Sequence, residues 1–138
     1  MKKHNFRVIF IVLALLFIVS GCSKSNEKII NDAVSELKPN LPRKANDQVT
    51  WVDVEAGQDE LIYIYEIRGI DQSQLDIEAM VPKLKSVMIP LLKKEKSMER
   101  TFKRNIRLKY IYKNEVGEEL LNFNISRERK RHRCQVLT

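Results

Sequence analysis

The sequence predicts an α+β domain in which two β-hairpins form an antiparallel four-stranded sheet with helices packed on one face, in the order α-β-β-α-β-β. Three observations point there. Two pairs of runs alternate with a two-residue period, each pair separated by turn-forming residues. Two other stretches repeat their apolar residues at helical spacing. The last strand is two-sided, with Leu121, Phe123 and Ile125 pointing one way and Asn122, Asn124 and Ser126 the other, as expected for one buried and one wet face.

Each element follows from its residues. Ile29, Ile30, Ala33, Val34 and Leu37 form one stripe of an amphipathic helix, and Ser25 is placed to cap its start. Pro39 and Pro42 end it, since proline has no N–H to donate and disfavours helix just before itself. Val49–Glu55 and Leu61–Ile67 alternate across Ala56-Gly57-Gln58-Asp59 and make the first hairpin. In its second strand Leu61, Tyr63, Tyr65 and Ile67 share one face, while Ile62, Ile64 and Glu66 share the other. Between Gln74 and Lys96 the spacing of Ile77, Met80, Val81, Leu84, Val87, Met88 and Leu91 is helical again. Pro82 and Pro90 fall inside that stretch and predict a kinked helix or two short ones, with a further turn around Ser97–Phe102. Ile106–Tyr112 and Leu120–Ser126, joined around Asn114–Gly117, give the second hairpin. Leu61-Ile62-Tyr63-Ile64-Tyr65 echoes Leu108-Lys109-Tyr110-Ile111-Tyr112, which we read as equivalent roles in the two hairpins.

Upstream of this domain, Lys2, Lys3 and Arg7 precede an uninterrupted apolar run, Val8–Val19, then the small residues Ser20 and Gly21, then Cys22. A charged start, apolar middle and small-residue exit are the parts of a secretory signal. As a helix the run would reach about 18 Å, short of the roughly 30 Å hydrocarbon core, so it is not read as a membrane span. Val19-Ser20-Gly21-Cys22 closely resembles the lipobox of bacterial lipoproteins. The resemblance covers residues 1–22 only, and implies acylation of the Cys22 thiol and removal of residues 1–21. With Ser23 rather than Asp after the cysteine, it implies an outer membrane where the cell has one. The organisation expected is a signal over 1–21, a tether over 22–28, one domain over 29–126, and a basic, disordered tail over 127–138. The expected location is the cell membrane or outer membrane, lipid-anchored and facing the periplasm or exterior.

Charge is uneven. Residues 47–78 carry nine acids and one Arg, whereas residues 83–113 carry eleven basic residues against Glu95 and Glu99. Either the halves face each other and cancel, or they present a bipolar surface that steers a charged partner. The segment from Arg127 to Arg133 holds five further basic residues and one Glu. Export argues against nucleic acid as its partner and leaves anionic headgroups or solvent. With Cys22 acylated, Cys134 has no partner for a disulfide, so the core alone must hold the fold.

The chemistry the chain lacks is informative. Between Ser23 and Ser126 there is no His and no Cys, so zinc ligands and the base of a nucleophilic triad are missing, and no glycine-rich phosphate loop occurs. No cofactor and no metal are expected. Asp53, Glu55, Asp59 and Glu60 cluster about the first hairpin and are the carboxylates a small cell-wall glycan hydrolase would use in pairs. The favoured function is non-catalytic: an extracytoplasmic binding protein of the assembly, exclusion or inhibitor type, held to the membrane by its lipid and acting on an envelope protein. Its candidate binding residues are Tyr63, Tyr65, Tyr110 and Tyr112: facing outward their rings form a rigid platform suited to protein contacts, whereas facing inward, the reading their pattern favours, they are core with hydroxyls reaching the sheet edge. In size and element order the mature chain resembles small lipoproteins of the pilotin and phage-exclusion kinds.

Overall fold

Ser25 starts the first helix, α1 (Asn26–Leu37), by accepting a hydrogen bond from the Lys28 N–H at 3.3 Å. This is the first residue described: the computed structural model covers residues 25–127, and the signal over 1–21, the beginning of the tether and the tail from 128 lie outside the described residues. The helix starts three residues before Ile29, so the last part of the expected tether is its first turn. A single 3-10 turn over Lys38–Asn40, carrying Pro39, ends it.

Four of the five strands are those the alternation predicted: β2 (Val49–Gly57), β3 (Glu60–Ile67), β4 (Arg107–Lys113) and β5 (Glu119–Ile125). The fifth, β1 (Arg43–Lys44), is two residues long and pairs antiparallel with β2. Alternation cannot reveal a strand this short. The helical segment between the hairpins is α2 (Ile77–Lys94) followed by α3 (Lys96–Lys103). The observed order is therefore α-β-β-β-α-α-β-β.

The largest correction concerns the sheet itself. Strands lie side by side in chain order, and the central pair β3–β4 is parallel, so the sheet is mixed rather than antiparallel. The physical reason was present in the connection. A helical crossover carries the chain back to the end from which β3 began, so β4 sets off in the same direction. The echoed pentapeptides then stand next to one another in register, Leu61 beside Leu108, Tyr63 beside Tyr110 and Tyr65 beside Tyr112. They are neighbours across one ladder, not equivalents in separate hairpins.

Two further differences have local causes. A β-bulge between Trp51 and Asp53 shifts the phase of β2, so that Trp51 faces Tyr65 and Val54 faces Tyr63. α2 runs as one helix despite Pro82 and Pro90. Both prolines are exposed, so the carbonyls that lose a donor, Glu78 and Ser86, stand on the exposed side where water satisfies them.

The core forms on one face of the sheet. Leu61, Tyr63, Ile67, Leu108, Tyr110, Tyr112, Leu121, Phe123 and Ile125 supply the sheet side, and Ile30 is buried into it from α1. Met80, Val81, Leu84, Met88, Ile89 and Leu92 pack on it from α2, and Met98 and Phe102 from α3. Ile62, Ile64 and Ile111 belong to the opposite face and take no part in that cluster. Helix α2 covers the sheet only partly. None of its residues is fully buried, and Val87 and Leu91, expected in its core stripe, are 63% and 58% exposed. Among the described residues no helix is long and apolar enough to cross a membrane.

Candidate binding groove over the tyrosine row

The parallel register places the four tyrosines in a row. Tyr63 stacks on Tyr110 with ring centroids 5.1 Å apart, and Tyr65 on Tyr112 at the same distance. Phe123 extends the row beyond Tyr110 at 5.3 Å, and Trp51 closes the other end over Tyr63 at 5.4 Å. The indole is fixed by donating its N–H to the Asp53 carbonyl at 2.9 Å.

The row faces the helices. Tyr63, Tyr110 and Tyr112 are buried and Tyr65 is half-buried, so the rings are part of the core. Their hydroxyls make no hydrogen bond within the described residues, and no buried polar side-chain atom is left without a partner, so each hydroxyl keeps contact with solvent. Burial pushes the Tyr63 phenol up to about 12, with the negative charge of Glu95 adding to the effect. Burial raises Tyr65, Tyr110 and Tyr112 as well, and neighbouring phenols raise Tyr65 and Tyr110 further. At neutral pH every one of these hydroxyls is protonated.

A prediction arises here. The native phenols release their protons at higher pH than the unfolded ones, whose ordinary value is about 10. The native state therefore binds more protons than the unfolded state above that value, and stability falls as pH rises through it. The stabilisation is fully present below pH ~10 and is lost toward the folded values. The chain has four tyrosines, all in this row, so ultraviolet titration of phenolate should show one steep, cooperative rise that coincides with loss of far-ultraviolet circular dichroism. A gradual rise near the ordinary value, with the fold intact, would show that the phenols are not buried.

Tyr63 also forms part of the floor of a groove between α1 and α3, about 760 Å³ in volume. Leu61 and Tyr63 lie beneath; Ile29, Ala33 and Leu37 come from α1 and Met98 from α3. One rim carries Asp32 and Glu36, the other Lys96, Arg100 and Arg104. The helical stripe of α1 explains this arrangement: Ile30 goes fully into the core, whereas its neighbours Ile29, Ala33 and Leu37 are left on the flank that faces α3. An apolar floor between rims of opposite sign suits an amphipathic polypeptide segment. A second, smaller hollow of about 420 Å³ lies between α2, α3 and the end of β5, lined by Ile89, Lys93, Phe102, Lys103, Ile125 and Arg127 among others.

Of the four candidate tyrosines the structure brings all into contact in one row, but only Tyr63 lines the groove. Cys22 lies outside the described residues. The hairpin carboxylates line neither hollow. Asp53 pairs with Lys38 at 3.2 Å, Asp59 accepts from the Asn26 side chain at 2.9 Å, and Glu60 pairs with Arg107 at 3.5 Å. No group of three or more metal-ligating side chains occurs among the described residues. Lys96, Arg100 and the α1 acids escaped sequence reasoning because each reads as an ordinary solvated helix position; only the spacing of two helices makes them rims.

Compared with known protein families, the sequence finds no match. Among curated proteins none matches either. Solved structures do resemble the fold. A Pseudomonas aeruginosa protein described as secreted aligns with a TM-score of 0.64 at 12% identity, over 73% of this chain and 88% of that one. The pilotin of the Vibrio vulnificus type 2 secretion system aligns at 0.57 and 8% identity, over 73% of this chain and 87% of its own. The type II secretion system pilotin of Vibrio cholerae aligns at 0.55 and 12% identity, over 73% and 88%. At these identities the likeness is one of fold: this chain has the α+β architecture that two pilotins and a secreted protein also have.

Proposed function

We propose that the chain is a lipid-anchored, non-catalytic accessory protein of the cell envelope, an assembly or targeting factor of the pilotin kind, which holds a segment of an envelope protein in the α1–α3 groove. The observation that carries the proposal is the groove itself: an apolar floor of Leu61, Tyr63, Ala33 and Met98 between an acidic and a basic rim. An amphipathic helix laid there would bury its apolar face and meet charges of both signs at its flanks. The fold shared with two pilotins and with a secreted protein supports an envelope role. In this reading Tyr63 is the contact tyrosine, and Tyr65, Tyr110 and Tyr112 hold it at a fixed height. Of the four carboxylates that a glycan hydrolase would draw on, Asp53, Asp59 and Glu60 are engaged in ion pairs or a hydrogen bond, and none of the four lines the groove, so no observation favours that alternative.

The test places a photo-crosslinking residue at Ser97 or Thr101, both in the groove, and at Asn122 on the opposite face as control. The groove positions should capture one envelope protein and the control should not. Ala33→Trp, which fills the groove from α1, should abolish that capture while leaving the melting temperature within a few degrees. Equal capture from Asn122, or capture unaffected by Ala33→Trp, would show that the groove is not the binding site.

A further inference from the structure

The two ends of the α1–α3 groove differ. At one of them the Asn26 side chain donates to the Asp59 carboxylate at 2.9 Å and to the Arg104 carbonyl at 3.2 Å, which ties the start of α1 to the end of α3. From that junction α1 runs outward and α3 runs inward, so the two helices are antiparallel along the groove. Moving away from the junction, α1 presents Ile29, then Asp32, then Glu36, and α3 presents Arg104, then Arg100, then Lys96. The eight residues of α3 extend about 12 Å, so its rim spans about two turns of a bound helix.

The rim charges away from the junction are unengaged. Asp32 and Arg104 each have a partner in the domain, whereas Glu36, Lys96 and Arg100 are exposed and form no ion pair among the described residues. Charges of the other sign on the same elements act elsewhere. Lys28 does not line the groove, Lys38 pairs with Asp53 at 3.2 Å, and Glu99 pairs with Lys103 at 2.6 Å on the flank of α3 that faces the second hollow. Glu95, the residue before Lys96, bears on the Tyr63 phenol and lowers the positive field at that end, which leaves Arg100 as the stronger basic point. One rim is thus acidic and the other basic over the same apolar floor.

We propose that these rims set the direction of the helix the groove holds, selecting a segment with an apolar stripe, basic residues on the flank toward α1 and acidic residues on the flank toward α3. The proposal rests on the reading of the groove as the site that holds an envelope-protein segment, and adds the charge pattern and direction of that segment. A helix with its apolar stripe on the floor can be turned end for end without lifting the stripe, and the turn exchanges its two flanks. Neutral flanks make the two directions alike. Flanks of one sign gain at one rim and lose at the other either way round. Flanks of opposite sign set acid against base on both sides in one direction and like charges together in the other. An exposed pair contributes little alone, but Glu36, Lys96 and Arg100 change from attraction to repulsion together, and like charges penalise the wrong arrangement. Because α1 starts at the junction, the direction also decides which end of the partner's helix lies beside the start of the domain.

The test uses the whole protein as isolated and two synthetic amphipathic peptides of about four helical turns. They share one composition and one apolar stripe; the first carries Glu on one flank and Lys on the other, and the second has the flanks exchanged. Each is made with a photo-crosslinking group at its N-terminus or at its C-terminus, and the labelled sites on the protein are mapped by mass spectrometry. The N-terminus of one peptide should label the junction end, around Ile29 and Arg104, and the N-terminus of the other the far end, around Leu37 and Lys96. The preferred direction should exceed its opposite by about tenfold at physiological salt and by less as salt is raised. The triple variant Glu36→Lys, Lys96→Glu, Arg100→Glu should reverse the direction of both peptides, a change that simple loss of stability would not produce. Equal labelling of both ends by each peptide, or a triple variant that keeps the original directions, would overturn the proposal and leave the groove reading standing. Labelling outside the groove, or binding of neither peptide, would overturn both.

Discussion

Replacing Tyr110 by Ser is expected to cost about 3 kcal/mol or more of folding stability, the largest loss of any single tyrosine replacement in this protein. Tyr110 is 4% exposed and stands at the middle of the aromatic row. Its ring lies 5.1 Å from Tyr63, 5.3 Å from Phe123 and 6.3 Å from Tyr65. Truncation would forfeit the burial of the ring, open a cavity in a sheet that cannot close over it, and break three ring contacts, each worth about 0.5–1.5 kcal/mol beyond area. Tyr65, half-buried and nearer the rim of the row, should lose clearly less when changed to Ser. Urea denaturation followed by circular dichroism measures both. A Tyr110→Ser midpoint equal to that of the unmodified chain would mean that the row is a surface feature, and the assignment of the core would have to be reversed.

The second large effect concerns Cys22. Changing it to Ser is expected to abolish acylation and leave the protein unprocessed or unanchored. The apolar run Val8–Val19 is too short to hold the chain across a bilayer, so in the lipid-anchor reading attachment rests on Cys22. Each buried methylene of an acyl chain contributes about 0.8 kcal/mol, so a lipidated cysteine dominates any electrostatic contact the domain makes. Fractionation with mass spectrometry of the N-terminal peptide checks this directly. Finding the unmodified protein wholly soluble, with a free thiol at Cys22, would refute the anchor.

What was legible in the sequence was whatever depends on near neighbours along the chain. The expected export signal and lipobox are linear patterns outside the described residues, and the strands and helices declare themselves through periods of two and 3.6 residues. The two-sided pattern of β5 fixed which of its faces is buried, and the apolar stripe of α1 fixed which of its sides meets the sheet. Tertiary structure decided the rest, because it depends on residues far apart in sequence. Alternation is the same in parallel and antiparallel strands, so only the path of α2 and α3 made the β3–β4 pair parallel. Once parallel, the ladder set Tyr63 on Tyr110 and Tyr65 on Tyr112, turning two separate repeats into one buried row. A bulge is one extra residue with no composition of its own, and it alone realigned Val54 with the core. The groove is the clearest case. Glu36 and Arg100 are unremarkable helix residues until the distance between α1 and α3 places an apolar floor between them, and no spacing within either helix encodes that distance.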